Sequence, residues 1–141
     1  MLERSYRLKQ MMRFLFPLLI LIAPLMSFGA FQDDFIDEIS VLFKSGDSKE
    51  IAKNFSTSVE LSIIKDDDVY SKVQAEQILR EFFSQHSPKN SVVLHLINTN
   101  PTMRFGILSL TTKDGKFRVS ITFKKINNAF LITELRIDLE K

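Results

Sequence analysis

The chain has no cysteine among its 141 residues and only four glycines. Without cysteine it cannot form disulfides, thiolate metal sites or a cysteine nucleophile, so its core must hold together by packing alone. The few glycines form neither a phosphate-binding loop nor the Gly-x-Ser-x-Gly elbow of serine hydrolases. The sequence has no other catalytic motif, and we expect neither a cofactor nor a bound metal.

A surplus of charge of one sign is also missing from most of the chain. The whole sequence has 19 lysines and arginines against 17 acidic residues. Four of these basic residues and one acid lie in residues 1–30, which leaves 15 basic and 16 acidic side chains in residues 31–141. This nearly neutral part has no basic cluster, which argues against a nucleic acid as partner. It is long enough for one domain with a single core.

Residues 1–30 have the pattern of a secretory signal peptide. Four basic residues precede an uncharged apolar run over residues 14–26, and mostly small residues follow it. We expect cleavage after Gly29 or Ala30, which leaves a single domain over residues 31–141. The predicted location is therefore the periplasm or the cell exterior.

The alternatives to a cleaved signal are an uncleaved anchor in the inner membrane and a mis-assigned start codon. A membrane-spanning helix usually needs about 18 or more consecutive apolar residues. The apolar run is shorter than this, and Pro17 and Pro24 interrupt it. We therefore expect contact with a membrane only through the export signal.

Apolar residues at helical spacing predict three helices in the first half of the domain. Gly46 separates the first two, and Asp47 is the predicted N-cap of the second. Ser71 and Gln74 form the capping-box pattern of the third and longest helix. The apolar stripes are Phe35, Ile39, Leu42 and Phe43, then Ile51, Ala52 and Phe55, then Ala75, Ile78, Leu79, Phe82 and Phe83.

Alternating apolar and polar residues predict the strands. A strand over residues 59–64 and a very short one at Val69-Tyr70 flank a predicted turn at residues 65–68. The other four strands are predicted near residues 91–97, 104–112, 116–125 and 130–140.

Two turn signals give a register for the last three strands. Asp114-Gly115 is a strong hairpin signal and, as a two-residue loop, pairs Leu110 with Val119. The sequence Asn127-Asn128-Ala129 predicts either a three-residue loop or a bulge. Only the register that such a loop or bulge gives, in which Ile121 pairs with Leu135, keeps the apolar residues of the last two strands on one face.

This register predicts a sheet with one apolar and one polar face. The predicted core-facing residues are Leu108, Leu110, Phe117, Val119, Ile121, Leu135 and Ile137. Arg118 then lies opposite Asp138 on the outer face, as a cross-strand pair. The fold class is α+β, in the order α-α-β-β-α-β-β-β-β, with three helices on one face of a curved, mainly antiparallel sheet.

The element order resembles the nuclear-transport-factor-2-like (cystatin-like) fold. More narrowly, the chain is similar to an uncharacterised family of small secreted bacterial proteins, a domain of unknown function. The resemblance covers nearly all of residues 31–141 and depends on these segments: 33–38, 44–47, 52–55, 70–79 and 135–137. It implies the fold and an exported location, and it implies no activity.

His95 and Tyr70 are the candidate ligand-binding residues. We predict that Val92, Leu94 and Leu96 face the core, which places His95 on the polar side of its strand. For Tyr70, just before the longest helix, there are two interpretations: a donor of a hydrogen bond into a cavity, or a partly buried tyrosine at the edge of the sheet.

Two further charged features are interpreted as structural. His86 lies at a helix C-terminus, where the helix dipole favours a positive charge. The three aspartates at residues 66–68 are interpreted as a solvated turn, because calcium usually takes six to eight oxygens from a longer loop.

These observations favour an exported, non-catalytic binding or interaction module with a small apolar cavity for an apolar ligand. We expect a homodimer formed through the outer sheet face, where Phe105, Ile107 and Ile132 are predicted to lie. The alternative is a small isomerase- or hydratase-like enzyme that uses His95 or Tyr70 in the cavity, and it requires an enclosed pocket around the catalytic side chain. A structural envelope component is a third hypothesis.

Overall fold

The computed structural model describes residues 34–141, which form three helices and a six-stranded, open sheet. The helices are α1 (Asp34–Ser45), α2 (Ser48–Ala52) and α3 (Lys72–Gln85). The strands are β1 (Phe55–Ile63), β2 (Asp66–Ser71), β3 (Pro88–Ile97), β4 (Met103–Thr112), β5 (Gly115–Ile126) and β6 (Ala129–Leu139). The predicted α+β class and element order are confirmed.

The export signal predicted for residues 1–30 lies outside the described residues. Within residues 34–141, no helix combines the length and the apolar composition needed to cross a membrane.

Gly46 ends α1 through a Schellman motif. Its φ angle is 67°, and the following amide, that of Asp47, donates to the Leu42 carbonyl at 3.1 Å. The Asp47 side chain accepts from the Glu50 amide at 3.1 Å and caps α2, as predicted. Phe55 was expected on the buried side of α2, but it is buried as the first residue of β1.

The predicted capping box opens α3. The Gln74 amide donates to the Ser71 hydroxyl at 3.3 Å, and the Ser71 amide donates to the Gln74 side chain at 3.1 Å. The ring of Phe83, on the buried stripe of α3, lies edge-on to that of Phe43 in α1, with 5.9 Å between the centroids. This contact links the long helix to the first helix over the core.

The sheet has the strand order β2-β1-β6-β5-β4-β3. Strands β3 to β6 form an antiparallel meander, and β1 joins it by lying parallel to β6. Strands β2 and β3 are therefore the two edges of the sheet, and α3 connects them. We call the face covered by the helices concave and the opposite face convex.

The predicted register of β5 and β6 is confirmed. Ile121 pairs with Leu135, and Arg118 pairs with Asp138. The three-residue loop does not form, because Asn127 and Asn128 make a two-residue turn with φ angles of 50° and 64°. These positive values are those of a type I′ turn, which asparagine tolerates well. A bulge produces the predicted register instead.

The bulge lies next to Thr122 and Phe123. Beyond it, Phe123 pairs with Ile132, and both side chains turn towards the core and are buried. The expectation that Ile132 lies on the outer face was therefore wrong, because one extra residue in β6 moves it to the other face.

The hairpin between β4 and β5 turns one residue earlier than predicted. Lys113 and Asp114 form the turn, since Thr112 pairs with Gly115. The Thr112 hydroxyl lies 2.9 Å from both the Asp114 carboxylate and the Gly115 carbonyl. These contacts hold the turn at this position.

The register of β4 and β5 consequently differs by two residues from the prediction. Leu110 pairs with Phe117 and not with Val119, and Leu108 pairs with Val119. A shift of two residues keeps every side chain on its predicted face. All seven predicted core residues of β4, β5 and β6 are accordingly buried.

The predicted core face of β3 was wrong for two of its three residues. Val92 and Leu94 are each 49% exposed, and Val93 packs against the core in their place, whereas Leu96 packs against the core as predicted. The pairing with β4 is irregular between Val93 and His95. The extra residue there, Leu94, changes which residues face the helices, so a simple alternation does not describe this strand.

The three aspartates at residues 66–68 belong to β2 and not to a turn. The turn consists of Ile64 and Lys65, and Ile64 has a φ angle of 61°. This left-handed conformation is unfavourable for a β-branched residue. Placing the turn earlier extends β2 and turns two of the aspartates towards the helices.

Candidate functional site

A cleft of about 790 Å³ lies between the β1–β2 hairpin and the C-terminal half of α3. Its floor is apolar and consists of Leu61 and Ile63 from β1 with Ile78 and Phe82 from α3. Leu61 and Phe82 are buried, and the two isoleucines are half-buried. We call this feature the cleft.

The wall that β2 contributes to the cleft is acidic. Asp66 pairs with Ile63, and Asp68 pairs with Leu61, so both aspartates lie on the concave face with these apolar partners. Asp67 borders the cleft, but it alternates to the convex face, where its carboxylate lies 3.7 Å from Arg136. If β2 covered part of the core, we would expect apolar residues at positions 66 and 68.

The cleft has an excess of negative charge. Glu81 of α3 lines the cleft together with Asp66 and Asp68 of β2, and Lys65 at the hairpin turn is the lysine among the lining residues. The Asp67 carboxylate lies on the convex face, so three carboxylates against one lysine give the cleft a net charge of −2 when His86 is neutral. Within residues 34–141, neither Asp66 nor Glu81 has a salt-bridge partner. The mouth of the cleft is therefore a region of negative potential.

Tyr70 lines the cleft, and its half-buried side chain packs against the core. It pairs with Val59 on the concave face of the sheet. The surrounding cleft is open and bordered by carboxylates, so it differs from the small apolar cavity that the sequence led us to expect. A ligand-binding role for Tyr70 stays a prediction.

The histidine that lines the cleft is His86, not His95. Its Nδ1 atom lies 2.8 Å from the Asp114 carboxylate, and its ring contacts the rings of Phe82 and Phe117 at centroid distances of 4.9 Å. The pair joins the end of α3 to the β4–β5 turn. It also holds the pKa of Asp114 below its ordinary value, although the hydrogen bond from Thr112 contributes more. No local sequence pattern predicts this pair, because its members lie 28 residues apart.

His95 lies outside the cleft. It is exposed on the convex face, where it pairs with Ile107 of β4. His95 and Tyr70 therefore do not share a site, and the structure does not surround His95 with the enclosed pocket that the enzyme hypothesis requires. A ligand-binding role for His95 stays a prediction.

An apolar patch surrounds His95 on the convex face of the β3 edge. Val92, Leu94, Ile97 and Met103 are between 42% and 49% exposed, and Phe105 and Ile107 are half-buried among them. We call these six residues the convex patch. The convex side of β1 and β6, by contrast, carries Glu60, Glu134, Arg136 and Asp138.

Three helices on a curved, open, mainly antiparallel sheet define a cystatin-like domain, also described as nuclear-transport-factor-2-like. A domain of unknown function with a cystatin-like fold from Nostoc punctiforme has a similar structure, with a TM-score of 0.61 and 10% sequence identity. The similarity covers 76% of this chain and 74% of that chain. At this identity it concerns the fold alone.

The chain belongs to the DUF4783 family, a domain of unknown function, whose model matches residues 36–138. A DUF4783 protein from Bacteroides uniformis is 31% identical, with a TM-score of 0.71 over 74% of this chain and 96% of that chain. A second one, from Bacteroides ovatus, is 30% identical, with a TM-score of 0.70 over 73% of this chain and 93% of that chain. No curated protein matches the chain. The resemblance to an uncharacterised family with this fold is thus confirmed.

Proposed function

We propose that this protein is an exported, non-catalytic interaction module that forms a homodimer through the convex face of its sheet. The observation that carries the proposal is the convex patch. Four of its six side chains are more than two-fifths exposed, and the patch is contiguous along β3 and β4. Soluble monomers rarely leave a contiguous apolar surface of this kind uncovered unless it has a partner.

A second copy of the chain is the partner that fits the convex patch best. Two copies related by a two-fold axis place the same surface on both sides of the contact, so an apolar patch meets an apolar patch. The polar residues on the convex side of β5, including Arg118, Ser120 and Thr122, then border the contact. This arrangement is that of a typical interface, with an apolar centre and a polar rim.

The positions of the candidate acid–base groups support a non-catalytic role. His95 lies at the convex patch, and the Nδ1 atom of His86 is already engaged by Asp114. Tyr70 has no histidine or carboxylate hydrogen-bonded to it within residues 34–141. An acid–base enzyme would need such a group next to the reacting atoms.

Export is part of the same proposal and is supported by the pattern of residues 1–30. A basic start, a short apolar run and small residues before position 31 are typical of a cleaved signal. Native mass spectrometry of the protein isolated from a cell envelope tests this directly. We expect a chain that begins at Ala30 or Phe31. A full-length chain that co-purifies with the inner membrane would instead establish the anchored alternative.

The dimer is tested by light scattering on the full chain and on two variants of the convex patch. Ile107→Lys and Val92→Lys each place a charge in the patch, and Val92 is exposed enough that its replacement should not disturb the fold. We expect the mass of two chains for the wild type and of one chain for both variants, with unchanged circular dichroism.

Val69→Lys is the matched control. Val69 is 63% exposed on the convex side of β2, at the other edge of the same sheet. This variant should keep the mass of two chains. A monomeric wild type would overturn the dimer proposal, as would a dimer that survives Val92→Lys unchanged.

A further inference from the structure

We infer that the cleft is a binding site for a ligand that joins an apolar body to a cationic group, either an ammonium or a guanidinium. The cleft lies on the concave side of β1 and β2, so it is separate from the convex patch. The inference is therefore independent of the proposed dimer, and each can fail without the other.

The floor of the cleft selects the apolar body. Three of the lining side chains are only partly buried: Ile63, Ile78 and Tyr70. Fully buried side chains of the core lie beneath them. Water on such a floor is displaced favourably by an apolar group of matching size. A volume of about 790 Å³ is within the usual range for small-molecule sites.

The rim of the cleft selects the cationic group. Asp66 and Asp68 point over the floor from β2, and Glu81 points over it from α3. A cation held between the two walls is attracted by carboxylates from both sides. An anionic ligand of the same shape meets a lining of net charge −2 and is repelled.

The arrangement is not required for packing, although the Asp68 carboxylate also accepts from the Val69 amide at 2.8 Å. Asp66 and Asp68 occupy positions of β2 that pair with core-facing residues of β1, and Asp66 has no salt bridge within residues 34–141. Carboxylates at such positions do not add to packing. They do give the cleft a charge that complements a cation.

The test uses three probes that share one apolar body. They are 3-phenylpropylamine, which is cationic, 3-phenylpropanol, which is neutral, and 3-phenylpropionate, which is anionic. Titrations of the uniformly ¹⁵N-labelled full chain follow the amide shifts of β2 and α3. We expect the amine to bind with a Kd of about 1 mM, the alcohol more weakly, and the anion not at all.

Two variants locate the site. Asp66→Asn with Glu81→Gln removes one carboxylate from each wall, and we expect it to weaken binding of the amine about fivefold while leaving the alcohol unchanged. Glu60→Gln is the control, because Glu60 is exposed on the convex side of the neighbouring strand. It should leave the affinity for the amine within about twofold.

Three results would overturn the inference. The first is an absence of shifts in β2 and α3 at about 10 mM of the amine. The second is equal binding of the amine and the anion. The third is an equal loss of affinity in the double variant and in Glu60→Gln, which would indicate a general effect of charge and no site.

Discussion

The two edges of the sheet are built in opposite ways. At the β3 edge, the convex face exposes apolar side chains such as Val92 and Leu94 to solvent. At the β2 edge, the concave face presents Asp66 and Asp68 towards a helix, where a core would normally continue. Each edge thus reverses the usual placement of apolar and charged groups. This difference is the basis of our proposal that the two edges meet different partners: a second copy of the chain at β3 and a cationic ligand at β2.

Between the edges, the concave face is an ordinary packed core. Phe123 is fully buried, and its ring lies edge-on to Phe35 of α1 with 5.0 Å between the centroids. Phe117 packs in the same way against Phe82 at 5.2 Å. The central strands, which α1 and α3 cover, are therefore where most of the stability should originate, and the β2 edge should contribute little.

Truncation at the two places should have very different costs. Phe123→Ala should lower the free energy of unfolding by about 3–5 kcal/mol, because it leaves a cavity in the packed region. Asp68→Ala, on the same face at the β2 edge, should change it by less than about 0.5 kcal/mol. Urea unfolding measures both. Similar losses for the two variants would break the distinction between packed centre and open edge.

A smaller effect is expected where α1 crosses β4. A Cβ atom at Gly106 would lie 2.6 Å from Cδ1 of Ile36, a buried side chain of α1. Gly106→Ala should therefore lower the free energy of unfolding by about 1–3 kcal/mol, because the added methyl group overpacks this contact.

The matching test of this contact is rescue. Ile36→Val removes the Cδ1 atom, so the double variant Ile36→Val/Gly106→Ala should be more stable than Gly106→Ala alone. If the losses in unfolding free energy of the two single variants simply add in the double variant, the helix and the strand are not in direct contact at this point.

The smallest effect concerns Asp114 and depends on pH. The Thr112 hydroxyl, and to a lesser degree His86, hold the pKa of Asp114 below its ordinary value of 3.8. A lowered pKa in the folded state means that the ionised group stabilises the fold above the ordinary pKa. This contribution is lost as the pH falls through the folded-state value.

Asp114→Asn should therefore lower the urea midpoint slightly at about pH 6 and by less at about pH 2. Thr112→Val should reproduce most of this decrease in the urea midpoint at the higher pH, since Thr112 provides the largest part of the lowering of the Asp114 pKa. An equal difference between wild type and Asp114→Asn at both pH values would contradict this account.

Much of the fold could be predicted from the sequence, because the buried faces of β4 and β5 alternate cleanly. The pairing of Ile121 with Leu135 follows from the need to keep apolar residues together. The predicted register of β4 and β5 was wrong by two residues, but a shift of two residues keeps each side chain on its predicted face. The predicted core was therefore unaffected. The hydroxyl of Thr112, which positions that turn, gives no periodic signal.

Bulges account for the errors that changed a face. The extra residue at Leu94 reverses the predicted orientation of Val92, and the bulge opposite Phe123 turns Ile132 inwards. A bulge depends on how two strands meet, so the pattern of one strand does not reveal it.

The candidate sites were harder to predict than the core. Aspartate is depleted in strands, so residues 66–68 were interpreted as a turn, and the acidic wall of the cleft was missed. The convex patch was expected on the correct strand, β4, through Phe105 and Ile107. The contribution of Val92 and Leu94 to it appears only once the bulge in β3 is known.

One amide-shift experiment on the ¹⁵N-labelled full chain tests the contrast between the two edges most directly. Dilution of the protein should move the signals of β3 and β4 and leave β2 and α3 unchanged. Addition of 3-phenylpropylamine should move β2 and α3 and leave β3 and β4 unchanged. Shifts from both treatments in the same strands, or a spectrum that responds to neither, would contradict the assignment of separate partners to the two edges.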